Sequence, residues 1–375
     1  MRHASEAEKA RLAGTFADLC RIPSPSWQEA ACAEHVAGAL RSMGLTVEAD
    51  DAGNLLARIP FPPTTPNGRS ERTILLCAHL DTVPPLAAIE PVLVEDGWEN
   101  ANDGILGADN KAAVATILEV ARRCSVEGSP VGLELVFTVA EEVGLEGAKR
   151  FDASRLRSEF GYVFDHATPI GEVVVASPTL YRIEAEFHGK AAHAGLRPEE
   201  GRSAILAAAY AASHMPHGRV DAQTTANLGY FHGGVESTNV VAERARLLAE
   251  VRSVDPDRAE EVLAAVIDAM HDGASHAECD VDVITEKQVI GYRQKPSAPA
   301  VLAAEAALRA CGYEPRRITT AGASDANVFE AAGLSCVNVA NGTQHNHEPT
   351  ERVSVSALEG MLDVTLVLLE EAAAA

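Results

Sequence analysis

Apolar runs and amphipathic stretches alternate along most of the chain. Continuous apolar runs lead to His79, to Glu141 and to Asp165, and stretches with apolar residues at helical spacing lie between them. The strongest helical pattern, ILGADNKAAVATILEVARR, follows the first of these runs. The alternation predicts an α/β fold, with a sheet between helices and a functional site at the carboxyl ends of the strands.

The amino-terminal region predicts two helices, over residues 5–20 and 27–43. Ser5 and Glu8 have the spacing of a capping box at the start of the first helix, and Gly44 closes the second. Short strands are predicted over 46–49 and 54–59. The Pro- and Gly-rich segment 60–72 is predicted to be a loop, and residues 83–104 to be irregular.

The pattern changes near Ser177. There LYRIEAEFHGKAAHA alternates as a half-exposed antiparallel strand does, and it begins a series of strand, helix, strand, strand, helix and strand. We interpret this series as a ferredoxin-like α+β domain inserted into the α/β domain, which resumes after Pro296. The predicted boundaries are 1–178 for the first part of the α/β domain, 179–290 for the insert and 291–375 for the second part.

Polar residues with metal-binding or proton-accepting side chains gather where the predicted strands end. They are His79, Asp81, Asp109, Glu141, Glu142, Asp165 and His347. Two histidines and three carboxylates can hold two divalent ions a few ångströms apart, with one carboxylate bridging and a shared water activated. Imidazole and carboxylate without thiolate favour zinc, and cobalt or manganese would also fit.

Some of these residues have other interpretations. Asp109 equally suits the N-cap of the helix that follows it. His345 competes with His347 as the last ligand, and His166 lies next to Asp165. These alternatives stay open on the residues alone.

Composition narrows the class of partner. The formal net charge of −23 would repel a phosphate backbone, which argues against nucleic acid. The seven cysteines are scattered without a CxxC pair, as expected of reduced thiols in a cytoplasmic protein rather than of a cysteine zinc site. No apolar run reaches the ~18 to 20 residues of a membrane span, so we expect no membrane contact.

Five motifs, in this order, resemble those of a known family. They are LLCAHLDTVPP, GADNKAAVATILEVA, FTVAEEVGLEGAK, GKAAHAG and a late histidine followed by a glutamate. The resemblance is to the dizinc aminopeptidases and carboxypeptidases that include peptidase T, glutamate carboxypeptidase, the aminoacylases and succinyl-diaminopimelate desuccinylase, and it is strongest for the peptidase T-like branch. It implies a phosphorylase/hydrolase-like catalytic domain, a mixed sheet between helices, and an inserted lid or dimerisation domain, so a homodimer is expected.

The resemblance also implies a role for each metal ligand. His79 and Asp165 would bind one zinc ion, Glu142 and His347 the other, and Asp109 would bridge the two. Many relatives have a second aspartate directly after the bridging one, whereas this chain has an asparagine there, and we expect this difference to tune the metals rather than to remove them.

Three further residues receive catalytic roles from the resemblance. Asp81 would hold the imidazole of His79 in the ligating tautomer. Glu141 would be the general base that takes a proton from water and returns it to the leaving amine. His193, in the inserted domain, would stabilise the oxyanion, often from the partner subunit of a dimer.

Four residues are weaker candidates for substrate contacts. Asn239 and Arg252 resemble the family's contacts to a substrate carboxylate or oxyanion, and a structural role in a strand is nearly as well supported for both. Ser324 and Asn327 belong to the turn GASDAN, which resembles the family's substrate loop.

The sequence thus predicts a metal-dependent hydrolase that cleaves an amide bond of small peptides in the manner of peptidase T, a tripeptide aminopeptidase. An N-acyl amino acid deacylase, a desuccinylase or a carboxypeptidase is the alternative among enzymes. A metal-dependent binding protein without catalysis is the alternative outside them, and the presence of Glu141 with every predicted ligand argues against it.

Overall fold

The computed structural model describes residues 3–61 and 72–375, which form two compact units. The first unit comprises Met1–Val175, Gln294–Thr319 and Ser324–Ala375, and the second comprises Ala176–Arg293 with Thr320–Ala323. The sequence placed the two domain boundaries at 178/179 and 290/291, and the units divide at 175/176 and 293/294. A lid or dimerisation role for the second unit stays a prediction.

Helices and strands alternate through the first unit and in a different order through the second. The helices are α1 (Glu6–Cys20), α2 (Ala30–Ser42), α3 (Ala108–Glu127), α4 (Glu146–Arg150), α5 (Ala204–His214), α6 (Pro256–His276), α7 (Pro299–Ala310), α8 (Asp325–Ala331) and α9 (Val355–Ala374). Two short 3-10 helices span Ala153–Arg155 and Pro198–Glu200.

The strands are numbered in the same way. They are β1 (Val47–Ala49), β2 (Leu55–Ile59), β3 (Thr73–His79), β4 (Pro91–Val94), β5 (Gly97–Asn100), β6 (Gly132–Thr138), β7 (Phe160–His166), β8 (Glu172–Ser177), β9 (Thr179–His188), β10 (Gly218–Asp221), β11 (Thr224–Gly233), β12 (Arg244–Ser253), β13 (Asp280–Val289), β14 (Tyr292–Arg293), β15 (Arg316–Thr319), β16 (Ser335–Ala340), β17 (Thr343–Gln344) and β18 (Arg352–Ser354). The sequence had not predicted seven short strands, which are β4, β5, β8, β10, β14, β17 and β18.

The large sheet of the first unit has four parallel strands at its centre. Its order is β1-β2-β6-β3-β7-β16-β8, with β15 also paired to β8. The strands β6, β3, β7 and β16 run parallel, whereas β2 and β8 flank them antiparallel. The chain passes from β3 to β6 on one side and then to β7 on the other side of β3. In an α/β sheet such a reversal opens a crevice at the carboxyl ends of the strands, which is where ligands bind.

Helix α1 begins as the sequence predicts and α2 begins later. The Ser5 hydroxyl accepts from the backbone N–H of Glu8, and the Glu8 carboxylate accepts from the backbone N–H of Ser5, so the capping box is confirmed. The second helix begins at Ala30 rather than at residue 27, because Trp27 has a left-handed backbone (φ 67°) that a helix does not accept.

Two predictions on loops have different outcomes. Residues 83–104 are not irregular throughout, since β4 and β5 form a hairpin that pairs through β5 with β18 in a four-stranded sheet. The two-residue turn Glu95-Asp96 joins these strands. The Asp-Gly pair at residues 96–97 is a turn signal that the sequence prediction did not use. Most of the predicted loop 60–72 lies outside the described residues.

Helix α3 packs against the parallel strands. Every residue from Ala108 to Ala121 is buried, which is why this helix is rich in alanine and valine on all faces rather than amphipathic. Helices α1 and α9 share its core cluster, together with the strands β3, β6 and β7. The start of α3 is therefore fixed firmly beside the carboxyl ends of those strands.

The second unit is a five-stranded antiparallel sheet with two helices. Its strand order is β10-β11-β12-β9-β13, and the four strands other than β10 follow, with α5 and α6, the βαββαβ series predicted for a ferredoxin-like fold. Alternate residues of β9 and β12 are buried against the two helices. Among the described residues, no helix is long and apolar enough to cross a membrane.

Candidate metal centre

The carboxyl ends of the parallel strands bring together residues that are far apart in the chain. His79 is the last residue of β3, Glu141 and Glu142 follow β6, and Asp165 lies near the end of β7. Asp109 lies at the start of α3. Because β3, β6 and β7 are adjacent and parallel, their ends meet at one edge of the sheet.

A first group of possible metal ligands consists of His79, Asp109 and Asp165. One ligand atom from each lies within 4.8 Å of the others. Nε2 of His79 is 3.4 Å from Oδ1 of Asp109 and 3.5 Å from Oδ1 of Asp165. The three side chains thus converge on one point, as ligands of a single ion do.

A second group shares Asp109 with the first. It consists of Asp109, Glu142 and His347, again within 4.8 Å. Nε2 of His347 is 2.9 Å from Oε1 of Glu142 and 3.5 Å from Oδ2 of Asp109. The two oxygens of Asp109 therefore face different groups, which is the arrangement required of a bridging carboxylate.

The donor set fits a pair of divalent cations. Oδ1 of Asp109 is buried and accepts no hydrogen bond from the described part of the chain. Burial and the neighbouring carboxylates raise the pKa of Asp165 to about 8, although His79 opposes the shift. Crowded carboxylates of this kind are stabilised by bound cations. Imidazole and carboxylate oxygens, with no thiolate in either group, suit zinc and similar ions.

The carboxylates also raise the pKa values of the two histidines. Burial alone would lower the pKa of His79, but the carboxylates of Asp109 and Asp165 raise it well above the usual range. Asp109 and Glu142 together raise the pKa of His347 to about 10. The carboxylates thus make the site negative enough to hold a positive charge in each of the two ligand groups.

Asp81 lies directly behind the first group and is fully buried. Nδ1 of His79 is 2.9 Å from the backbone oxygen of Asp81 and 3.4 Å from its carboxylate oxygen Oδ1. The carboxylate also accepts hydrogen bonds from the backbone N–H groups of Glu141 (2.9 Å) and Glu142 (3.1 Å) and from the hydroxyl of Ser26 (2.8 Å). Asp81 thus contacts His79 and also anchors the segment after β6, which the sequence did not indicate.

Glu141 and Glu142 are neighbours with different surroundings. Glu142 contacts His347, whereas the buried carboxylate of Glu141 lies within reach of His79 and Glu142 in a third group of possible ligands. Burial, and then the negative charge of Asp165, raises the pKa of Glu141 well above its usual range. A carboxylate with a raised pKa is suited to accept a proton and pass it on.

The segment before Asp109 is held by Glu351, which is 2% exposed. Its carboxylate accepts from the backbone N–H groups of Leu106 (2.9 Å), Gly107 (2.8 Å) and Asp109 (2.8 Å). Gly107, with a left-handed backbone, precedes α3, and Asp109 itself has non-helical angles (φ −81°, ψ 106°). The alternative of Asp109 as a simple N-cap is therefore wrong, since its carboxylate faces His79 and His347 instead.

The structure distinguishes the competing histidines. Both side chains are about half exposed, but the ring of His345 faces Glu348 at 3.8 Å, whereas the ring of His347 faces Glu142 and Asp109. His166 faces Glu172 at 3.5 Å, away from both groups. His347 is thus the late histidine that the fold brings to the other ligands.

Three buried or half-buried polar residues near the site received no role from the sequence. Nδ2 of Asn346 donates to Oδ2 of Asp109 (2.7 Å), and Ser26 and Glu351 have the contacts described above. Asn346 lies between the two histidines that drew attention, but an asparagine in a polar loop carries no signal of its own. Its role appears only when the loop after β17 meets α3.

Two of the predicted residues in the second unit lie side by side. The backbone N–H of Ala194, next to His193, donates to the backbone oxygen of Asn239 (2.9 Å). Nδ1 of His193 faces the backbone N–H groups of Gly195 (3.2 Å) and Leu196 (3.3 Å). Since Nδ1 accepts, the neutral ring carries its proton on Nε2, which leaves an exposed N–H donor.

The other predicted substrate residues are engaged within the protein. The guanidinium of Arg252 makes two hydrogen bonds to Glu250, of 2.8 and 3.0 Å. Ser324 and Asn327 are buried at the start of α8, where the Asn327 side chain accepts from the backbone N–H of Ser324. Substrate contacts by these three residues stay predictions.

Comparison with known proteins gives one family and several relatives. Residues 75–371 match the model of peptidase family M20/M25/M40. An uncharacterized protein of Bacillus subtilis, YqjE, is 35% identical over 97% of this chain and 98% of its own length. The crystal structure of aminopeptidase PepT from Bacillus cereus is 34% identical, covers 97% of this chain and 99% of its own, and superposes with a TM-score of 0.89. A tripeptidase structure from Staphylococcus aureus is 32% identical, covers 98% and 99%, and has a TM-score of 0.92.

Proposed function

The chain belongs to peptidase family M20/M25/M40 and is a metal-dependent peptidase, and we propose that it releases the amino-terminal residue of short peptides, tripeptides first, with two zinc ions. The observation that carries the proposal is the shared position of Asp109 in two groups of ligands, His79 with Asp165 and Glu142 with His347. The substrate class follows the aminopeptidase and the tripeptidase to which the chain is similar along nearly its whole length.

The five proposed ligands would hold zinc, and cobalt or manganese in its place. When bound, such a pair of ions polarises the scissile carbonyl and lowers the pKa of a water molecule. The carboxylates of Asp109, Glu142 and Asp165 and the imidazoles of His79 and His347 would set the distance between the ions. Asp81 would keep His79 in one tautomer, because Nδ1 of His79 donates to the Asp81 backbone oxygen and leaves Nε2 free to bind.

Glu141 would perform the proton transfer. Its carboxylate takes the proton of the attacking water and delivers it to the nitrogen of the leaving amine. The position of Glu141 supports this role, since Asp81 holds its backbone N–H while its buried side chain lies beside His79. The raised pKa supports it as well, because a more basic carboxylate accepts a proton more readily.

His193 would donate its Nε2–H to the oxyanion that forms when water attacks the carbonyl. The two backbone N–H groups at Nδ1 support this tautomer.

We further propose a cytoplasmic homodimer, which light scattering would detect as a doubled mass. If His193 acts in trans, a mixture of His193→Ala and Glu141→Ala protomers should recover part of the activity that each variant lacks.

The proposal is tested by incubating the zinc-loaded protein with a mixed library of tripeptides, dipeptides and N-acyl amino acids. Release of amino-terminal residues from tripeptides, read by mass spectrometry, is expected. Release of free acyl groups or of carboxyl-terminal residues would replace the aminopeptidase with a deacylase or a carboxypeptidase. Removal of metal by a chelator should abolish turnover, and zinc, cobalt or manganese should restore it.

The general base is tested by Glu141→Ala. We expect kcat to fall by about 10² to 10⁴ while zinc content stays at two per chain. Glu146→Ala is the matched control, since Glu146 lies in the same segment with a partly exposed side chain paired to Arg150. Turnover near the wild-type value in Glu141→Ala at full zinc content would remove Glu141 from this role.

A further inference from the structure

The parallel pairing of β7 with β16 is interrupted at Asp165. Asn338 pairs with Val163, and the next pair joins Ala340 to His166. One residue of β16 therefore lies opposite two residues of β7, Phe164 and Asp165, as in a β-bulge. Regular parallel strands exchange evenly spaced backbone hydrogen bonds, and the bulge removes this support where a proposed metal ligand stands.

The side chain of Asn338 supplies the missing support. Its Oδ1 accepts a hydrogen bond from the backbone N–H of Asp165 (3.0 Å), and its Nδ2 donates to the backbone oxygen of the same residue (3.2 Å). A carboxamide offers the same donor and acceptor as a peptide group, so it can replace a strand partner at this residue. Asn338 is 4% exposed, and water therefore competes little for these bonds.

The same side chain reaches a third segment. Nδ2 of Asn338 also donates to the hydroxyl of Ser324, 3.1 Å away, at the start of α8. The next residue, Asp325, accepts a hydrogen bond from the hydroxyl of Thr138 at the end of β6. Through Asn338, the backbone of Asp165 is thus connected to α8 and, through α8, to the strand that precedes Glu141 and Glu142.

We propose that Asn338 is a positioning residue that holds the backbone of Asp165 so that its carboxylate faces the ion shared with His79. The inference rests on the proposed function, because it takes Asp165 to be a metal ligand. Oδ1 of Asp165 lies 3.5 Å from Nε2 of His79, and a backbone free to shift at the bulge would change that distance. Loss of Asn338 should therefore weaken one of the two metal positions and spare the one built from Glu142 and His347.

The test uses two variants. Asn338→Leu keeps the number of side-chain heavy atoms and removes the two hydrogen bonds to Asp165 and the one to Ser324. Asn338→Ala only removes atoms and so suits the site if the bulkier leucine does not fit. Asn341→Leu is the matched control. Asn341 is 0% exposed and lies at the end of the same segment, but its side-chain oxygen bonds to Thr343 instead of to a proposed ligand. Full-length proteins are titrated with Co²⁺, and binding is measured by calorimetry and from the visible spectrum of the bound ions.

We expect the Asn338 variants to bind one Co²⁺ about 10- to 100-fold more weakly, with an altered visible spectrum, and the other with unchanged affinity. Adding Co²⁺ should also raise the melting temperature less in the Asn338 variants than in the wild type. Because the rise is measured within each variant, a general loss of stability does not affect it. Asn341→Leu should lower the melting temperature without changing either affinity. Wild-type affinities and spectra in both Asn338 variants would overturn the inference.

Asp165→Asn separates this inference from the function on which it rests. If Asp165→Asn loses one Co²⁺ while the Asn338 variants keep both, Asp165 is a ligand and the positioning role of Asn338 is wrong. If Asp165→Asn itself binds two Co²⁺ with wild-type affinity, the ligand assignment fails first, and the role proposed for Asn338 fails with it.

Discussion

The carboxylate of Asp81 accepts a hydrogen bond of 2.9 Å from the backbone N–H of Glu141, 60 residues later in the chain. The same carboxylate accepts from Glu142 and from Ser26, and it lies 3.4 Å from Nδ1 of His79. One buried side chain thus holds the end of β3 against the segment that follows β6. Its position couples a proposed metal ligand to the proposed general base.

This arrangement predicts the effect of Asp81→Asn. An amide keeps one oxygen acceptor, but its NH₂ group would face an N–H or hydroxyl that needs an acceptor, so the Glu141 segment should shift. We expect kcat to fall about 10- to 100-fold, with a smaller loss of metal content. Steady-state kinetics together with metal analysis measures both quantities.

Ser26→Ala is the control for Asp81→Asn. It removes one donor to Asp81 and leaves the carboxylate and both backbone hydrogen bonds in place, so its effect on kcat should be much smaller. Equal losses in the two variants would mean that the charge of Asp81 is not what positions Glu141.

A second prediction concerns Glu351→Gln. The carboxylate of Glu351 accepts three backbone hydrogen bonds before and at Asp109, and an amide can accept only part of them. Loss of this anchor should lower the free energy of unfolding by about 1–3 kcal/mol and weaken metal binding. Thermal unfolding with and without Zn²⁺ measures both effects.

Glu348→Gln is the matched control for Glu351. Glu348 lies three residues earlier and is exposed, and its carboxylate makes long contacts to His345 (3.8 Å) and Thr350 (3.4 Å). It should unfold and bind Zn²⁺ as the wild type does. Wild-type stability and Zn²⁺ affinity in Glu351→Gln would show that the segment before Asp109 holds its shape without this carboxylate.

The sequence was most informative for residue types that have few structural roles at the end of a buried strand. His79, Glu142 and Asp165 stand out because ionisable residues at the ends of apolar strands are rarely buried without a reason. His347 was singled out by the resemblance to a family. The structure brings all four to one edge of the sheet. The α/β architecture and the βαββαβ order were likewise readable, because alternating apolar patterns specify elements and short connections limit their order. The catalytic and ligand roles themselves stay predictions.

The supports of the site could not be predicted in this way. Asn338 acts on Asp165 only because β16 and β7 pair with a bulge, and Glu351 acts on Asp109 only because a late loop packs on the start of α3. Such contacts depend on the relative placement of distant segments, which local pattern does not contain. The β4–β5 hairpin was missed for a different reason, since its strands are short and partly exposed and do not alternate apolar with polar residues.

Acid stability should depend on Glu8. The guanidinium of Arg123 forms two hydrogen bonds of 2.6 Å to the Glu8 carboxylate and, with Ser5, lowers the pKa of Glu8 from 4.5 to about 2. A carboxyl group with a lower pKa in the folded state contributes stability above its unfolded pKa. That contribution is lost as the pH falls from about 4.5 to about 2.

Glu8→Gln should therefore lower the free energy of unfolding by about 1–3 kcal/mol at pH 7. The difference from the wild type should vanish toward pH 2, as urea unfolding across the pH range would reveal. Glu6→Gln, on the same helix with a carboxylate that is 93% exposed, should show little difference at any pH. A Glu8→Gln deficit that is constant between pH 7 and pH 2 would assign the effect to packing instead of to charge.

The segment that carries Glu141 turns tightly into α4, and Gly147 makes this turn possible. A Cβ atom at residue 147 would lie 1.9 Å from the backbone oxygen of Val139 and 2.8 Å from Oδ1 of Asn54. Backbone must move to admit it, so Gly147→Ala should lower the free energy of unfolding by about 2–4 kcal/mol and reduce kcat. Chemical denaturation and steady-state kinetics measure the two losses.

Gly14→Ala provides the opposite case in the same protein. Gly14 lies inside α1, and a Cβ atom there would meet no atom within 4 Å in the described part of the chain. Alanine favours a helix interior by about 0.5–1 kcal/mol over glycine, so this variant should be more stable than the wild type with unchanged kcat. A Gly147→Ala variant with wild-type stability and kcat would contradict the prediction. It would mean that the turn after Val139 can move to admit a Cβ atom without disturbing Glu141.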